Sequence, residues 1–247
     1  MSQSSDIGAE VALVTGGSRN IGLAIAQTLR AAGARVCIWG ASDAAALAEA
    51  LGAIDGGEDD RCGMLVRVED ESAVLHGFDQ IGARLGPVSI LVNNAAIRPE
   101  ASLETTTRAA WTAVLDVTLT GAFLTSRELF RRLPQDRNGA VVNIGGLSAH
   151  RPKKGRVHVI TAKAGLIGLT RALAEEGLGR VRANCVVPGA IDTGVRPDGT
   201  RPPHLDDAGH AAGTPEAVAR AVLALADPGE PYVTGQTLHV SGGRFMP

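Results

Sequence analysis

VALVTGGSRNIG (11–22) is the stretch whose reading decides the fold. A short apolar run, VALVT (11–15), meets a glycine-rich turn and passes directly into the amphipathic stretch IGLAIAQTLRAAG (21–33). A strand buried on both faces reads as such an unbroken apolar run, and a 3.6-residue apolar period reads as helix. Glycines between the two permit a tight turn and bring backbone N–H groups close to a phosphate, whose charge the helix N-terminus favours. Strand, glycine turn and helix in that order open a nucleotide-binding α/β sheet.

Working outward, the alternation is kept to the C-terminus. ARVCIWG (34–40), GMLVRV (63–68), SILVNNA (89–95), GAVVNIGG (139–146), RANCVVPG (182–189) and QTLHVSGG (236–243) read as strands. Helices are expected over ASDAAALAEALGAI (41–54), about 70–85, near 105–133, near 157–177 and over TPEAVARAVLAL (214–225). Alternating strands and helices require right-handed crossovers, so the expected fold class is α/β, a Rossmann-type doubly wound parallel sheet of about seven strands. Its ligand belongs at the carboxyl ends of the strands. No linker or repeat divides the chain, and residues 1–247 are read as a single domain. VRPDGTRPPHLDDAGHAAG (195–213) has no apolar period and the length usually kept for lids, so a mobile substrate lid is expected there.

Composition narrows the function classes. A hydrophobic content of 45% with 20% charge is that of a globular rather than a disordered chain. A net charge of −2 argues against nucleic acid as a partner. Cys37, Cys62 and Cys185 form no C-x-x-C pair and no cluster with histidine, so they read as reduced, buried thiols and no metal is expected. Residues 1–10 lack a signal-peptide pattern, and no apolar run is read as approaching a membrane span; a cytoplasmic protein with no membrane partner is the expectation.

Further motifs recur along the chain: Asn93-Asn94-Ala95-Ala96 after the fourth strand, Lys163, Pro188-Gly189 with Thr193, and Thr234-Gly235 before Gly242-Gly243. Together with Thr15–Gly22 they resemble the short-chain dehydrogenase/reductase family, and within it the 3-oxoacyl-carrier-protein-reductase-like members. The family turn reads TGxxxGxG, and Asn20 replaces the middle glycine of GxG; asparagine tolerates positive φ better than most residues, which would let the turn survive. The resemblance implies a dinucleotide site built from Gly16, Ser18, Arg19, Asn20, Ile21 and Gly22, from Ala41 and Ser42, and from Val68. It places Asn93 and Ala95 on the adenosine side, Lys163 on the nicotinamide ribose, and Pro188, Gly189, Ile191 and Thr193 at the nicotinamide, the last two meeting the carboxamide. Asn93 as a strand-end turn residue and Thr193 as a simple cap are the alternatives. A carboxylate after the second strand would bond the ribose 2′-OH and repel a 2′-phosphate. Gly40, Ala41 and Ser42 stand there instead, and Arg19 can pair with a phosphate unless it is only a solvated loop cation, so NADP(H) is favoured over NAD(H). Arg67, before Val68, is basic where the family usually has an acid or amide near adenine, which counts against tight binding.

The family's chemistry uses a serine to orient a carbonyl, a tyrosine to pass a proton, a lysine to lower that tyrosine's pKa and an asparagine to complete a water relay. Matched residue by residue, the asparagine position is Thr118, the serine position Gly146 and the tyrosine position Val159; only Lys163 remains. The chain's one tyrosine, Tyr232, lies far away in sequence. The catalytic candidates are therefore Lys163, with His158, Ser148 and Thr118 as substitutes and His150 behind them. Against them, Ser148 reads more simply as a surface loop serine, and a threonine inside a buried helix more often bonds its own backbone. His158 precedes Lys163 by five residues, about 500° of helical rotation, whereas Val159 shares the lysine's face.

The loop His150-Arg151-Pro152-Lys153-Lys154-Gly155-Arg156-Val157-His158 is densely basic. By the resemblance it borders the substrate mouth, where it would attract an anionic small molecule; the alternatives are a solvated loop or one paired with a neighbouring subunit's acids. Three functions are compatible with these residues. One is an NADP(H)-binding oxidoreductase with a degenerate catalytic tetrad and a non-standard proton relay. Another is a catalytically silent pseudoenzyme that binds dinucleotide or a partner subunit. The third is an isomerase or lyase reusing the cleft. The resemblance also implies a homo-oligomer, tetramer or dimer, through the helices near 105–133 and 157–177, where Ala162, Ala164, Gly165 and Gly168 permit close approach.

Overall fold

The computed structural model describes residues 7–8, 10–194, 211–227 and 232–247. Strands and helices alternate as the apolar runs predict: β1 (Val11–Thr15), α1 (Asn20–Ala31), β2 (Arg35–Gly40), α2 (Ala44–Gly52), β3 (Arg61–Leu65), α3 (Glu71–Arg84) and β4 (Ile90–Asn93). Then come α4 (Arg108–Leu115), α5 (Gly121–Arg132), β5 (Gly139–Ile144), α6 (Val157–Glu176), β6 (Val181–Pro188), α7 (Pro215–Ala226) and β7 (Thr237–Val240). Helix starts are set by side chains that accept otherwise unpaired backbone N–H groups. Asp43 accepts from Ala46, Asp70 from Ala73, Thr107 from Ala110 and Thr214 from Ala217. The Asp43 cap explains why α2 begins at residue 44 and not at 41.

All seven strands lie in one parallel sheet of order β3-β2-β1-β4-β5-β6-β7. The chain starts at β1 in the middle, winds outward to β3, then returns beside β1 and winds the other way to β7. The reversal between β1 and β4 opens a crevice above their carboxyl ends, because the connections there diverge to opposite faces. β1, β4, β5 and β6 are buried throughout, which is why their sequences are apolar without alternation. One face of the sheet packs Ile25 and Leu29 of α1, Leu47 of α2 and Val218 and Val222 of α7 against Val14, Ile38 and Val92. The other packs Val74, Phe78 and Ile81 of α3 and Leu124 and Leu129 of α5 against Leu13, Trp39 and Leu91.

Two expectations need correction. The helix expected near 105–133 is interrupted by a π-helical turn, Asp116–Thr120, between α4 and α5. Thr118 lies in that turn, buried, with Oγ1 lacking a hydrogen-bond partner, so it does not bond its own backbone. In addition, α6 has the length and mean hydropathy (1.2) of a membrane-crossing helix. Its face carrying His158, Val159, Ala162, Lys163, Leu166, Thr170 and Ala174 is buried inside the protein, as a core helix against a sheet requires. The segment expected as a lid lies, apart from residues 211–213, outside the described residues; Gly213 pairs with Ile191.

Candidate active site

The glycine turn is held by its neighbours on β4. Thr15 Oγ1 accepts from the backbone N–H groups of Asn94 (3.0 Å) and Ala95 (3.1 Å). The Asn94 amide in turn donates to the carbonyls of Thr15 (3.0 Å) and Gly16 (2.9 Å). Gly16 has φ 62°, and Asn20 has φ 51°, the one positive value at a non-glycine among the described residues. The asparagine thus takes the left-handed conformation that its short polar side chain tolerates. Asn20→Gly is expected to leave stability within a few tenths of a kcal/mol, and Asn20→Ala to lower it by about 1 kcal/mol, both read from urea unfolding. Close packing explains Gly22: a Cβ there would collide with the Gly16 carbonyl oxygen and lie 2.7 Å from the Asn94 amide. α1 carries no acid in its first turn, leaving its positive end unopposed for an anion.

From this turn a cleft of about 1370 Å³ runs over the carboxyl ends of the strands. Gly16, Ser18, Arg19, Asn20, Ile21 and Gly22 line one end, with Ala41, Ser42, Val68 and Ala95; Lys163, Ser148, Pro188, Gly189, Ile191 and Thr193 line the other. Arg19, largely exposed, lies 3.9 Å from Asp43 of the α2 cap, whereas Arg67 is held at 2.8 Å by Glu69. No acid follows β2 directly: Gly40, Ala41 and Ser42 form that wall.

Lys163 is buried, and its Nζ donates to the Ile144 carbonyl at 2.6 Å. Burial lowers its pKa to about 8, the nearby Arg98 charge adds to the effect, and Cys185 opposes it. Gly146 has extended backbone (φ −173°). A Cβ placed on it would stand 3.5 Å from Lys163 Cγ and 3.7 Å from Ser148 Oγ, so a side chain fits there. Val159 also lines the cleft while packing against Val114 and Ala162.

Four sequence candidates lie elsewhere. Asn93 does not line the cleft: its amide donates to Asn143 (2.9 Å) and Ser126 (3.2 Å) and its carbonyl accepts from Thr125 (2.7 Å), a buried network that ties β4 to α5 and β5. Adjacent strand residues point to opposite faces, and here Asn94 takes the cleft side. Thr118 and His158 are absent from the lining; both are buried, and both His158 ring nitrogens lack partners. His150 stacks edge-on with His239 at 4.4 Å and meets Phe245 at 5.0 Å, and burial lowers its pKa. Conversely, Asn94, Arg98 and Arg244 line the cleft without having been singled out from sequence. The second asparagine of the pair at 93–94 was a usable signal. Arg244 was not legible, because it arrives through the chain's last turn, where its carbonyl accepts from Arg151 at 2.9 Å.

The family model described as Enoyl-(Acyl carrier protein) reductase matches residues 16–244. The chain is 36% identical over 245 residues to the 3-oxoacyl-[acyl-carrier-protein] reductase FabG of Escherichia coli K12, covering 96% of this chain and 98% of that protein. It is 34% identical over 239 residues to the FabG of Chlamydia muridarum, covering 95% and 96%. Among solved structures, a short chain dehydrogenase from Bacillus anthracis superposes with a TM-score of 0.84 at 27% identity, covering 97% of this chain and 98% of that one. A short-chain dehydrogenase/reductase from Brucella melitensis shares the fold, with a TM-score of 0.89 at 23% identity over 98% and 99%. Identity of this extent runs the length of both chains, and the family model spans nearly all of this one, so the protein belongs to the short-chain dehydrogenase/reductase family.

Proposed function

We propose that this chain is an NADP(H)-binding oxidoreductase that acts on an anionic small molecule with a depleted catalytic set. The observation carrying this reading is the cleft itself: a glycine cradle that a Cβ would fill at one end, and a buried lysine beside open space at Gly146 at the other. The backbone of the turn and the N-terminus of α1 would hold the pyrophosphate, and Lys163 the nicotinamide ribose. Arg19, with no acid at 40–42, favours a 2′-phosphate. When bound, the dinucleotide supplies the hydride. The relatives' names specify reduction of a 3-oxoacyl group on a carrier protein; this chain has glycine and valine where the resemblance calls for serine and tyrosine. Lys163 and Ser148 are left as the polar groups nearest the reacting end, with His158 and Thr118 outside the lining.

Anion preference is supported by the cleft lining, where Arg98, Arg151, Lys153, Lys154, Arg156 and Arg244 outnumber Glu69, Glu100 and Asp116. Arg156 pairs with Glu100, so it also fastens the two loops that frame the mouth. A homo-oligomer in the cytoplasm completes the proposal. The half-exposed Phe123 on α5, with the Arg127 guanidinium 5.5 Å from its ring, supports an interface there. The second reading, a silent dinucleotide-binding partner of an active paralogue, is favoured by the apolar packing of Val159.

NADPH oxidation measured across anionic and neutral carbonyl compounds separates the two: turnover of an anionic carbonyl supports the oxidoreductase, and tight dinucleotide binding without turnover supports the silent partner. Lys163→Ala is expected to weaken NADPH binding about ten- to a hundred-fold, the worth of a charged hydrogen bond, as read by calorimetric titration. Unchanged affinity would remove Lys163 from the ribose.

A further inference from the structure

The chain has only three lysines, Lys153, Lys154 and Lys163; all its other permanently charged basic side chains are arginine. All three line the cleft. An arginine stays protonated in a protein, whereas a lysine can lose its proton and become a nucleophile. The chain's side-chain amine chemistry is therefore confined to one site.

We propose that Lys163 is an imine-forming amine that condenses with small anionic carbonyl compounds bound in the cleft. Access comes first. Lys163 lines the cleft, and the position beside it that a serine side chain would occupy is empty of one, because residue 146 is glycine. Val159, on the same face of α6, presents no hydroxyl between the amine and the cleft. Ser148 places a hydroxyl beside the Gly146 gap, its Oγ 3.7 Å from the point a Cβ would take.

Nucleophilicity is the second requirement. A lysine reacts as the neutral amine, which burial and a neighbouring cation both favour. Lys163 has both: it is buried, and Arg98 acts on it electrostatically, with no carboxylate among the influences that the described residues exert on it. Its pKa of about 8 leaves a large neutral fraction in mildly alkaline solution. The exposed Lys153 and Lys154 line the same cleft, where their charge would draw an anion in from solvent.

The reaction balances without any redox partner. The Nζ lone pair forms a bond to the carbonyl carbon, and the proton that nitrogen sheds goes to the carbonyl oxygen, giving a carbinolamine. That hydroxyl takes a second proton from water and leaves as water while the C=N bond forms as a protonated iminium, which returns a proton to water to give the imine. Water reverses the sequence.

Borohydride trapping of the intact chain tests this. Glyoxylate as the anionic probe and acetaldehyde as the neutral one are each added without dinucleotide, so the outcome is independent of the oxidoreductase reading. Adducts are then mapped by peptide mass. At pH 8 glyoxylate is expected to label Lys163 about ten-fold more than Lys153 or Lys154. Lys163 labelling should level off by about pH 9, while ordinary lysines still gain about ten-fold per pH unit. Lys163→Arg should lose that adduct, and Lys153→Gln with Lys154→Gln should lower the preference for glyoxylate over acetaldehyde while leaving Lys163 reactive. Labelling confined to Lys153, Lys154 or the terminal amine of the folded wild-type chain would overturn the proposal, as would Lys163 labelling that follows the pH course of an exposed lysine.

Discussion

Thr118→Asn, Gly146→Ser and Val159→Tyr made together are expected to raise NADPH-dependent reduction of a neutral ketone by about 10²–10⁴-fold, the usual contribution of a positioned general acid. The cleft is prepared for at least two of these groups. A Cβ added at Gly146 would meet nothing closer than Lys163 Cγ at 3.5 Å, on backbone that any residue adopts. A phenol in place of Val159 would share the helix face of Lys163, four residues on, whose charge would lower its pKa. Thr118 lies in the π-helical turn with a buried hydroxyl that lacks a partner, so a polar side chain is already tolerated there. The cost is packing: tyrosine replaces a valine wedged against Val114 and Ala162, at about 1–3 kcal/mol. Steady-state NADPH oxidation, with circular dichroism on the same sample, is the measurement. A folded triple variant that remains inactive would mean that the pocket or the dinucleotide geometry, and not only the missing groups, blocks the reaction.

Gly22→Ala should have the second largest effect, losing both stability and dinucleotide affinity. Its methyl group would be driven into the Gly16 carbonyl and against the Asn94 amide, neither of which can yield without undoing the hydrogen bonds between the turn and β4. Overpacking of this kind costs about 1–3 kcal/mol, a fall in Tm of about 2–12 °C for a chain of this size. Since the turn and the α1 N-terminus are the proposed phosphate cradle, NADPH binding should be lost with it. Gly52→Ala, at the last residue of α2, is the control: a Cβ there meets nothing within 4 Å, and Tm should hold or rise. Equal behaviour of the two variants in thermal melts and NADPH titration would show that the turn is not the cradle.

Local patterns carried much of the fold. Burial of β1, β4, β5 and β6 on both faces wrote itself into unbroken apolar runs, and Asp43, Asp70, Thr107 and Thr214 mark helix starts by chemistry that acts over three residues. The conformation of Asn20 was legible for the same reason, since positive φ restricts residue type at that one position. The interruption of the helix at Asp116–Thr120 was not, because nothing in the periodicity of that stretch distinguishes a π turn from regular helix.

What the amino-acid order determined by itself is therefore the alternation of strands and helices, the glycine turn, and a glycine at 146 and a valine at 159. Tertiary structure alone decided that Asn94 and not Asn93 faces the cleft, that His158 and Thr118 are walled off from it, and that Arg98 and Arg244 join it. The physical reason is range. A turn or a cap depends on neighbours a few residues away, whereas the side on which a strand-end amide points, and which cations meet across a crevice, depend on contacts such as Asn93 with Asn143 or Arg151 with Arg244, which form only when the sheet is assembled.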